Sequence, residues 1–350
     1  MRTWHRFCPP PLLFTIILQC QYGTATPVIQ HALACLFGTP PAYIQAMKRK
    51  NTPVKAVLQQ TGARMADAGA SIDTGAPRSS SFGPAVHNAW ALDGQGVSLV
   101  RKPLAPKVVR FGAQPQPIEI DIARSAVIVI DMQNDFCHPE GWFAQKGLGV
   151  KATRKPIPVL QRFLPTWRAA GGVVVWLNWG IRADRLNLSP TIQFKGKRSA
   201  DGVGYAESSP LDRGPSLVRD SWGAQVVEEL PVSPSDITVL KHRLSGFWDN
   251  ELDTVLRQQG ITTLLFTGVN TDRCVFSTLQ DAGFLGYDCV LLSDACSTGS
   301  PAYVSRAIHF IVQQLHGFVA TVEALLTSLA EAPRPKRSSP AKAAKASQAS

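Results

Sequence analysis

The chain has 350 residues, 45% of them hydrophobic and 17% charged, which is ordinary for a globular protein and enough for one large domain with extensions or two modest ones. Its net charge of +11 divides unevenly: residues 1–110 carry +9, residues 331–350 carry +4, and residues 111–330 carry −2. A near-neutral body excludes a broad phosphate-tracking face, which needs clustered cations, so no nucleic-acid partner is expected. The seven cysteines (Cys8, Cys20, Cys35, Cys137, Cys274, Cys289, Cys296) are few, odd in number and without a CxxC pair. That pattern speaks against a disulfide scaffold or a zinc ribbon and for reduced thiols in a cytoplasmic protein.

At the start, Arg2, His5 and Arg6 precede a short apolar run at 12–18, with small residues following. This loosely resembles a secretory signal, but Pro9, Pro10 and Pro11 interrupt it and seven apolar residues cannot span a membrane. The segment reads as a disordered leader, or as sequence upstream of a natural start at Met47 or Met65; a genuine targeting leader is the alternative. Residues 51–110 are rich in Ala, Gly, Ser and Pro without sustained periodicity, so 1–110 is expected to be a largely unstructured leader, with short segments of 51–110 free to lie on the body. A first apolar strand follows at 126–130 (AVIVI), stopping at Asp131. Residues 153–170 carry helical periodicity and end at Gly171-Gly172, a C-terminal cap signal. A strand at 173–177 leads into a long, weakly patterned loop over 179–221, of a size that usually shapes a site or an interface. A short helix is predicted at 224–230, a strand at 237–240, a helix at 250–259 and a strand at 263–269. A helix over 272–285, a strand at 290–292, a helix over 304–315, a strand near 318–321 and a last helix to Leu329 complete the body. The tail over 331–350 is basic, low in complexity and expected to be disordered. Six apolar strands alternating with amphipathic helices predict an α/β domain over 111–330, its parallel sheet covered on both faces.

In such sheets ligands sit beyond the carboxyl ends of the strands. Three reactive residues fall there: Asp131 after the first strand, Lys241 after the third, and Cys274 just after the fourth at a helix start. A thiol at a helix N-terminus faces unpaired N–H groups and the positive end of the dipole, which favour a thiolate. Each residue alone has a bland alternative: an inert buried cysteine, a loop-fixing carboxylate, an exposed lysine. Their common edge is what makes a site. Cys289 lies within an apolar strand and reads as packing, while Cys137 and Cys296 lack the strand-loop-helix setting.

Three stretches carry a family resemblance. Val129-Ile130-Asp131-Met132-Gln133-Asn134-Asp135-Phe136 resembles the opening motif of the isochorismatase-like hydrolases. Lys241-His242-Arg243-Leu244-Ser245-Gly246-Phe247 is similar to the segment bearing the family lysine. Thr267-Gly268-Val269-Asn270-Thr271-Asp272-Arg273-Cys274 resembles the loop bearing its nucleophile. The likeness spans about residues 126–329. It implies a three-layer α/β/α sandwich with a six-stranded parallel sheet, Rossmann-like, and an Asp131-Lys241-Cys274 triad. It also implies a cis peptide between Val269 and Asn270, and an oxyanion hole from the backbone N–H groups of Asn270 and Cys274.

Family members without the cysteine cleave a vinyl ether, so Cys274 favours cleavage of a small molecule's amide, ureide or carbamoyl C–N bond through a thioester-type intermediate. The continuation after the lysine resembles ureidoacrylate amidohydrolase, biuret hydrolase and N-carbamoylsarcosine amidase. Nicotinamidases of the family carry an Asp-x-His metal motif, whereas Asn178-Trp179-Gly180 contains no histidine, so no metal and no other cofactor is expected. Gln133, Asn178, Phe247 and Trp248 are candidate substrate contacts, with Trp142, Phe143 and Trp179 as possible pocket walls. Arg273 is open between a substrate carboxylate and a structural ion pair. Alternatives are isochorismatase-type ether hydrolysis and a catalytically silent interaction protein of the same fold. By analogy a homo-oligomer is expected, with no membrane partner.

Overall fold

The computed structural model describes residues 80–208 and 211–331, so the signal-like segment, the candidate start methionines and the basic tail lie outside the described residues. Residues 80–98 correct one expectation. They form an antiparallel meander of β1 (Ser80–Ala85), β2 (Asn88–Asp93) and β3 (Gly96–Ser98). These strands are mostly exposed, so no buried face imposes the alternation by which a strand is read from sequence. Turn chemistry makes the meander instead: the Asp93 carboxylate accepts the Gln95 amide (2.8 Å) in the second bend. Asn88 ties the meander to the body, its amide donating to the Gln258 carbonyl (3.0 Å) and side-chain oxygen (2.7 Å).

β4 (Val108–Phe111) pairs antiparallel with β6 (Ile118–Asp121), and β5 (Ala113–Gln114) lies between them in the chain. The six predicted parallel strands follow: β7 (Ser125–Ile130), β8 (Val173–Trp179), β9 (Ile237–Lys241), β10 (Thr263–Val269), β11 (Asp288–Ser297) and β12 (Gly317–Ala320). The sheet has seven strands in the order β5-β12-β11-β10-β7-β8-β9, because β5 adds an antiparallel edge to β12. Two residues are too short for a periodicity signal. Every residue of β7 and β10 is buried, as expected of strands covered on both faces.

Two single turns, α1 (Asn134–Cys137) and α2 (Trp142–Gln145), follow β7. The longer helices are α3 (Pro156–Ala169), α4 (Pro190–Lys197), α5 (Leu252–Gln258), α6 (Phe276–Phe284), α7 (Ala302–Ile311) and α8 (Val322–Glu331). Helix α3 buries Ile157, Leu160, Phe163, Leu164 and Trp167, and each such side chain contributes about 1.5–3 kcal/mol. It ends at Gly171, whose φ of +85° suits glycine, and the Trp167 indole donates to the Val173 carbonyl (2.9 Å). Its Arg168 pairs with buried Asp236 at the start of β9 (2.5 Å), which also accepts the Trp176 indole N–H (2.8 Å).

Two local expectations change. Helix α4, with Pro190 in its first turn and Ser189 accepting the Ile192 amide (3.4 Å), sits inside the long loop. The helix predicted at 224–230 is absent. There the backbone serves the chain after β7: Asn134 donates to the Gln225 carbonyl (2.9 Å) and Val227 to that of Met132 (3.0 Å). Partners outside the segment displace the i→i−4 bonds a helix needs. Among the described residues no helix is long and apolar enough to cross a membrane.

The chain winds from β7 outward through β8 to β9, then returns to the other side of β7 as β10. The crevice beyond the carboxyl ends of β7 and β10 is therefore the point where the winding reverses, the place where open α/β sheets hold ligands.

Candidate active site

At that reversal Asp131 leaves β7 with φ +54°, a left-handed conformation that aspartate tolerates better than most residues. The Asp131 side chain is 2% exposed. Lys241, at the end of β9 and fully buried, approaches Asp131 Oδ2 to 3.1 Å, and the Trp179 indole donates to the same oxygen at 3.1 Å. Trp179 and Lys241 are register partners on β8 and β9, which places both beside Asp131. The ammonium also lies 4.2 Å from the Trp179 ring centroid, a cation–π contact in a dry setting. Asp131 Oδ1 is buried without a hydrogen-bond partner.

Cys274 reaches this cluster through a tight crossing. Gly268 on β10 pairs with Ile130, and a Cβ on it would stand 2.1 Å from the Ile130 carbonyl oxygen; its φ of +104° also demands glycine. The Val269–Asn270 peptide is cis. The chain then makes a wide turn over Thr271–Val275, closed by Val275 N–H on the Asn270 carbonyl (3.3 Å), with Arg273 at φ −129°, ψ −105°. Cys274 thus precedes regular helix, which starts at Phe276. Its carbonyl accepts the Thr278 hydroxyl (2.6 Å), and its thiol lies within reach of the Asp131 and Lys241 charges.

The electrostatics depart from expectation. Burial pushes the Cys274 thiol up to about 12, and the Asp131 charge adds to this against the pull of Lys241. The anticipated helix-terminus thiolate is overridden by desolvation. Burial also raises Asp131 above the usual carboxylate range, opposed chiefly by the Lys241 ammonium, then by the nearby Cys274 thiol and the Trp179 indole. At rest the site holds a protonated thiol beside Asp131.

A family model described as the isochorismatase domain matches residues 125–324. The chain belongs to the isochorismatase family. Among solved structures, a cysteine hydrolase from Pseudomonas syringae pv. phaseolicola 1448A is 27% identical with a TM-score of 0.52, covering 66% of this chain and 100% of that one. An isochorismatase family protein from Desulfovibrio vulgaris subsp. vulgaris str. Hildenborough is 27% identical (TM-score 0.48, 59% of this chain, 98% of that one). N-carbamoylsarcosine amidase from Thermoplasma acidophilum is 24% identical (TM-score 0.45, 57% and 97%).

In this isochorismatase-family chain, Asp131 and Lys241 meet with Cys274 within reach of both charges, while the four expected substrate contacts do not join them. Gln133 is consumed internally: its amide donates to the carbonyls of Trp179 (2.8 Å) and Ala224 (2.7 Å) and accepts the Trp179 N–H (2.8 Å). Asn178 precedes Trp179 on a strand, so its side chain takes the opposite face and lines a different cavity. Phe247 packs on Tyr287, 5.8 Å between centroids, and Trp248 is 58% exposed with its indole on Asp281 (2.7 Å). The loop after Lys241 is drawn toward α6, where Thr278 accepts the Gly246 N–H (3.0 Å).

Tyr205 is the residue sequence reasoning missed. It stacks on Trp179 (5.3 Å) and packs on Trp142 (5.0 Å), and its hydroxyl is pushed above the usual phenol range chiefly by burial, with Cys274 and Asp131 nearby. It also lines a cavity of about 410 Å³ with Arg185, Lys197 and Arg198. Only the length of the loop pointed toward it. Arg273 makes a 3.8 Å contact with Asp272 and is 40% exposed, the ion-pair reading, although its charge also reaches Tyr205. Among the described residues no group of three or more His, Cys, Asp or Glu is arranged to hold a metal ion. The four described cysteines are free thiols, and Cys137, Cys289 and Cys296 each donate to a backbone carbonyl.

Proposed function

We propose that this chain is an amidohydrolase that cleaves a non-peptide C–N bond, of an amide, ureide or carbamoyl group, in a small molecule. One observation carries the reading: a buried thiol lies within reach of a buried carboxylate, one of whose oxygens is committed to an ammonium and an indole N–H while the other has no partner. The thiol needs a base, and Asp131 is the buried carboxylate whose charge reaches it.

As the sulfur attacks the carbonyl carbon, Asp131 takes the thiol proton and the C–S bond forms. Lys241 keeps the carboxylate charged in a site that would otherwise protonate it. The tetrahedral oxyanion is held by the backbone N–H groups of Asn270 and Cys274. Asp131 then returns the proton to the leaving nitrogen, the C–N bond breaks, and a thioester remains. Water attacks that thioester, giving its proton to Asp131, and the sulfur leaves as thiolate and recovers the proton. Substrate approaches past Tyr205, the side chain shared by the 410 Å³ cavity and the Trp179 stack.

An ammonia-release screen over ureides, N-carbamoyl amino acids, biuret and nicotinamide tests this. We expect activity on at least one of the first three classes, abolished in Cys274→Ala with the fold intact. A fully active alanine variant ends the covalent reading, and ether hydrolysis that survives loss of the thiol would replace it.

A further inference from the structure

Asp135, in the short turn α1 after β7, is buried and holds together segments that are far apart in the chain. Both of its oxygens accept from backbone donors: Oδ1 from the Trp142 N–H (3.1 Å) and Oδ2 from the Leu217 N–H (2.7 Å). Gly223 leaves room for it, since any Cβ there would collide with the carboxylate. Burial raises the Asp135 carboxyl, and the two N–H groups oppose that rise. Leu217 holds φ +57°, a left-handed conformation that leucine rarely adopts, with its N–H on Asp135 and its carbonyl on the Ile181 N–H (3.0 Å). Such a backbone persists only where its surroundings over-determine it.

Both anchors lead to Tyr205. Trp142 packs on its ring (5.0 Å) and donates its indole N–H to the Val203 carbonyl (2.8 Å). Ser216, next to Leu217, brackets Tyr205 from the other side. Its hydroxyl donates to the Gly204 carbonyl (2.6 Å), its carbonyl accepts the Ala206 N–H (3.0 Å), and its N–H donates to the Glu207 carbonyl (3.2 Å). Tyr205 in turn stacks on Trp179 (5.3 Å), whose indole N–H is on Asp131 (3.1 Å). We propose that Asp135 is a positioning residue for the active site: it fixes Trp142 and Leu217, so that Tyr205 keeps Trp179 in place on Asp131. The inference rests on the hydrolytic reading and adds to it a residue that acts through Tyr205 rather than on the reacting atoms. A carboxylate suits the position because one side chain must accept from two backbone donors at once, and its charge strengthens both bonds. Asparagine would offer one oxygen and turn its NH₂ group on the second donor.

A double-mutant cycle in the full-length protein tests it, read on whichever compound of the ammonia-release screen turns over fastest. Asp135→Asn should lower kcat/KM about tenfold, the effect of losing one buried hydrogen bond to a charged group. The acid limb of its pH profile should move up, because a slack Trp179 leaves Asp131 short of a donor. A merely structural role would lower the melting temperature and leave that limb in place. In a Tyr205→Ala background, where the relay is already cut, Asp135→Asn should cost no more than about a further twofold. Losses that multiply, or an unmoved limb in folded Asp135→Asn, overturn the proposal. Ser216→Ala removes only the hydroxyl on Gly204; it should show the same coupling to Tyr205 at smaller size, and it decides the matter should Asp135→Asn fail to fold. Tryptic cleavage after Arg213 gives a readout apart from activity. Where circular dichroism shows the native fold, cleavage should be at least about tenfold faster in Asp135→Asn, and an unchanged rate overturns the proposal. A wild type inactive on every compound would instead sink the hydrolytic reading, with the anchoring by Asp135 still judged by cleavage.

Discussion

Replacing Asp131 by asparagine should make Cys274 easier to alkylate while removing turnover, two changes of opposite sign from one substitution. Burial and the Asp131 charge together move the thiol from 9.0 to about 12, which shrinks the thiolate pool at neutral pH about a thousandfold. Asparagine removes the carboxylate charge and leaves the Lys241 ammonium, whose sign favours thiolate. A neighbouring charge moves a pKa by about 1–3 units, so alkylation of Cys274 should accelerate about 10- to 1,000-fold. Turnover, deprived of its base, should fall about 10²- to 10⁴-fold. The substitution also strands a buried ammonium at a cost of about 3–5 kcal/mol, so the melting curve should shift down and labelling belongs well below it. The assay is iodoacetamide labelling followed by peptide mass spectrometry, with ammonia release in parallel. In the native wild type Cys274 should label slowly at neutral pH. Rapid stoichiometric labelling of the wild type, or slower labelling in the asparagine variant, would refute the resting-thiol mechanism.

Trp179→Phe keeps an aromatic ring but loses the N–H on Asp131 (3.1 Å), and should lower kcat/KM about 10- to 100-fold. Losing a donor to the carboxylate raises its pKa, and the base must be ionised, so the acid limb of the kcat/KM profile should move to higher pH; an unmoved limb counts against Asp131 as base. Gly268→Ala places a Cβ against the Ile130 carbonyl at a φ of +104° and should cost about 3–5 kcal/mol by chemical denaturation. Undiminished stability there would contradict the β7–β10 crossing. Asp236→Asn breaks the pair with Arg168 and should cost about 2–4 kcal/mol at neutral pH. Although burial raises the Asp236 carboxyl, hydrogen bonds from Arg168, Trp176 and Ser233 hold it below the usual range. The stabilisation is therefore complete above the unfolded carboxylate pKa of about 3.9 and fades as pH falls through the lower folded value. Wild-type and variant stabilities should converge in strong acid, and a constant gap would argue against this linkage.

Local pattern was enough for the six parallel strands and for Asp131, Lys241 and Cys274 at their carboxyl ends, because apolar runs broken by a polar residue need no knowledge of neighbours. The seventh strand, β5, gains its identity only from hydrogen bonds to β12, and the meander at 80–98 buries too little to leave a periodicity. Side-chain direction was the weak point. Gln133 is spent on two carbonyls contributed by other segments, and Phe247 and Trp248 follow a loop that folds onto α6.

The sequence by itself determined the six parallel strands, where the chain turns away from the sheet after them, and which three reactive groups stand at those turns, since these follow from short-range chemistry. Only the tertiary structure decided that Tyr205 stacks on Trp179 beside Asp131 and that Cys274 rests as a thiol. Both depend on how completely distant segments exclude water, and desolvation is a property of the assembled fold rather than of any stretch of chain.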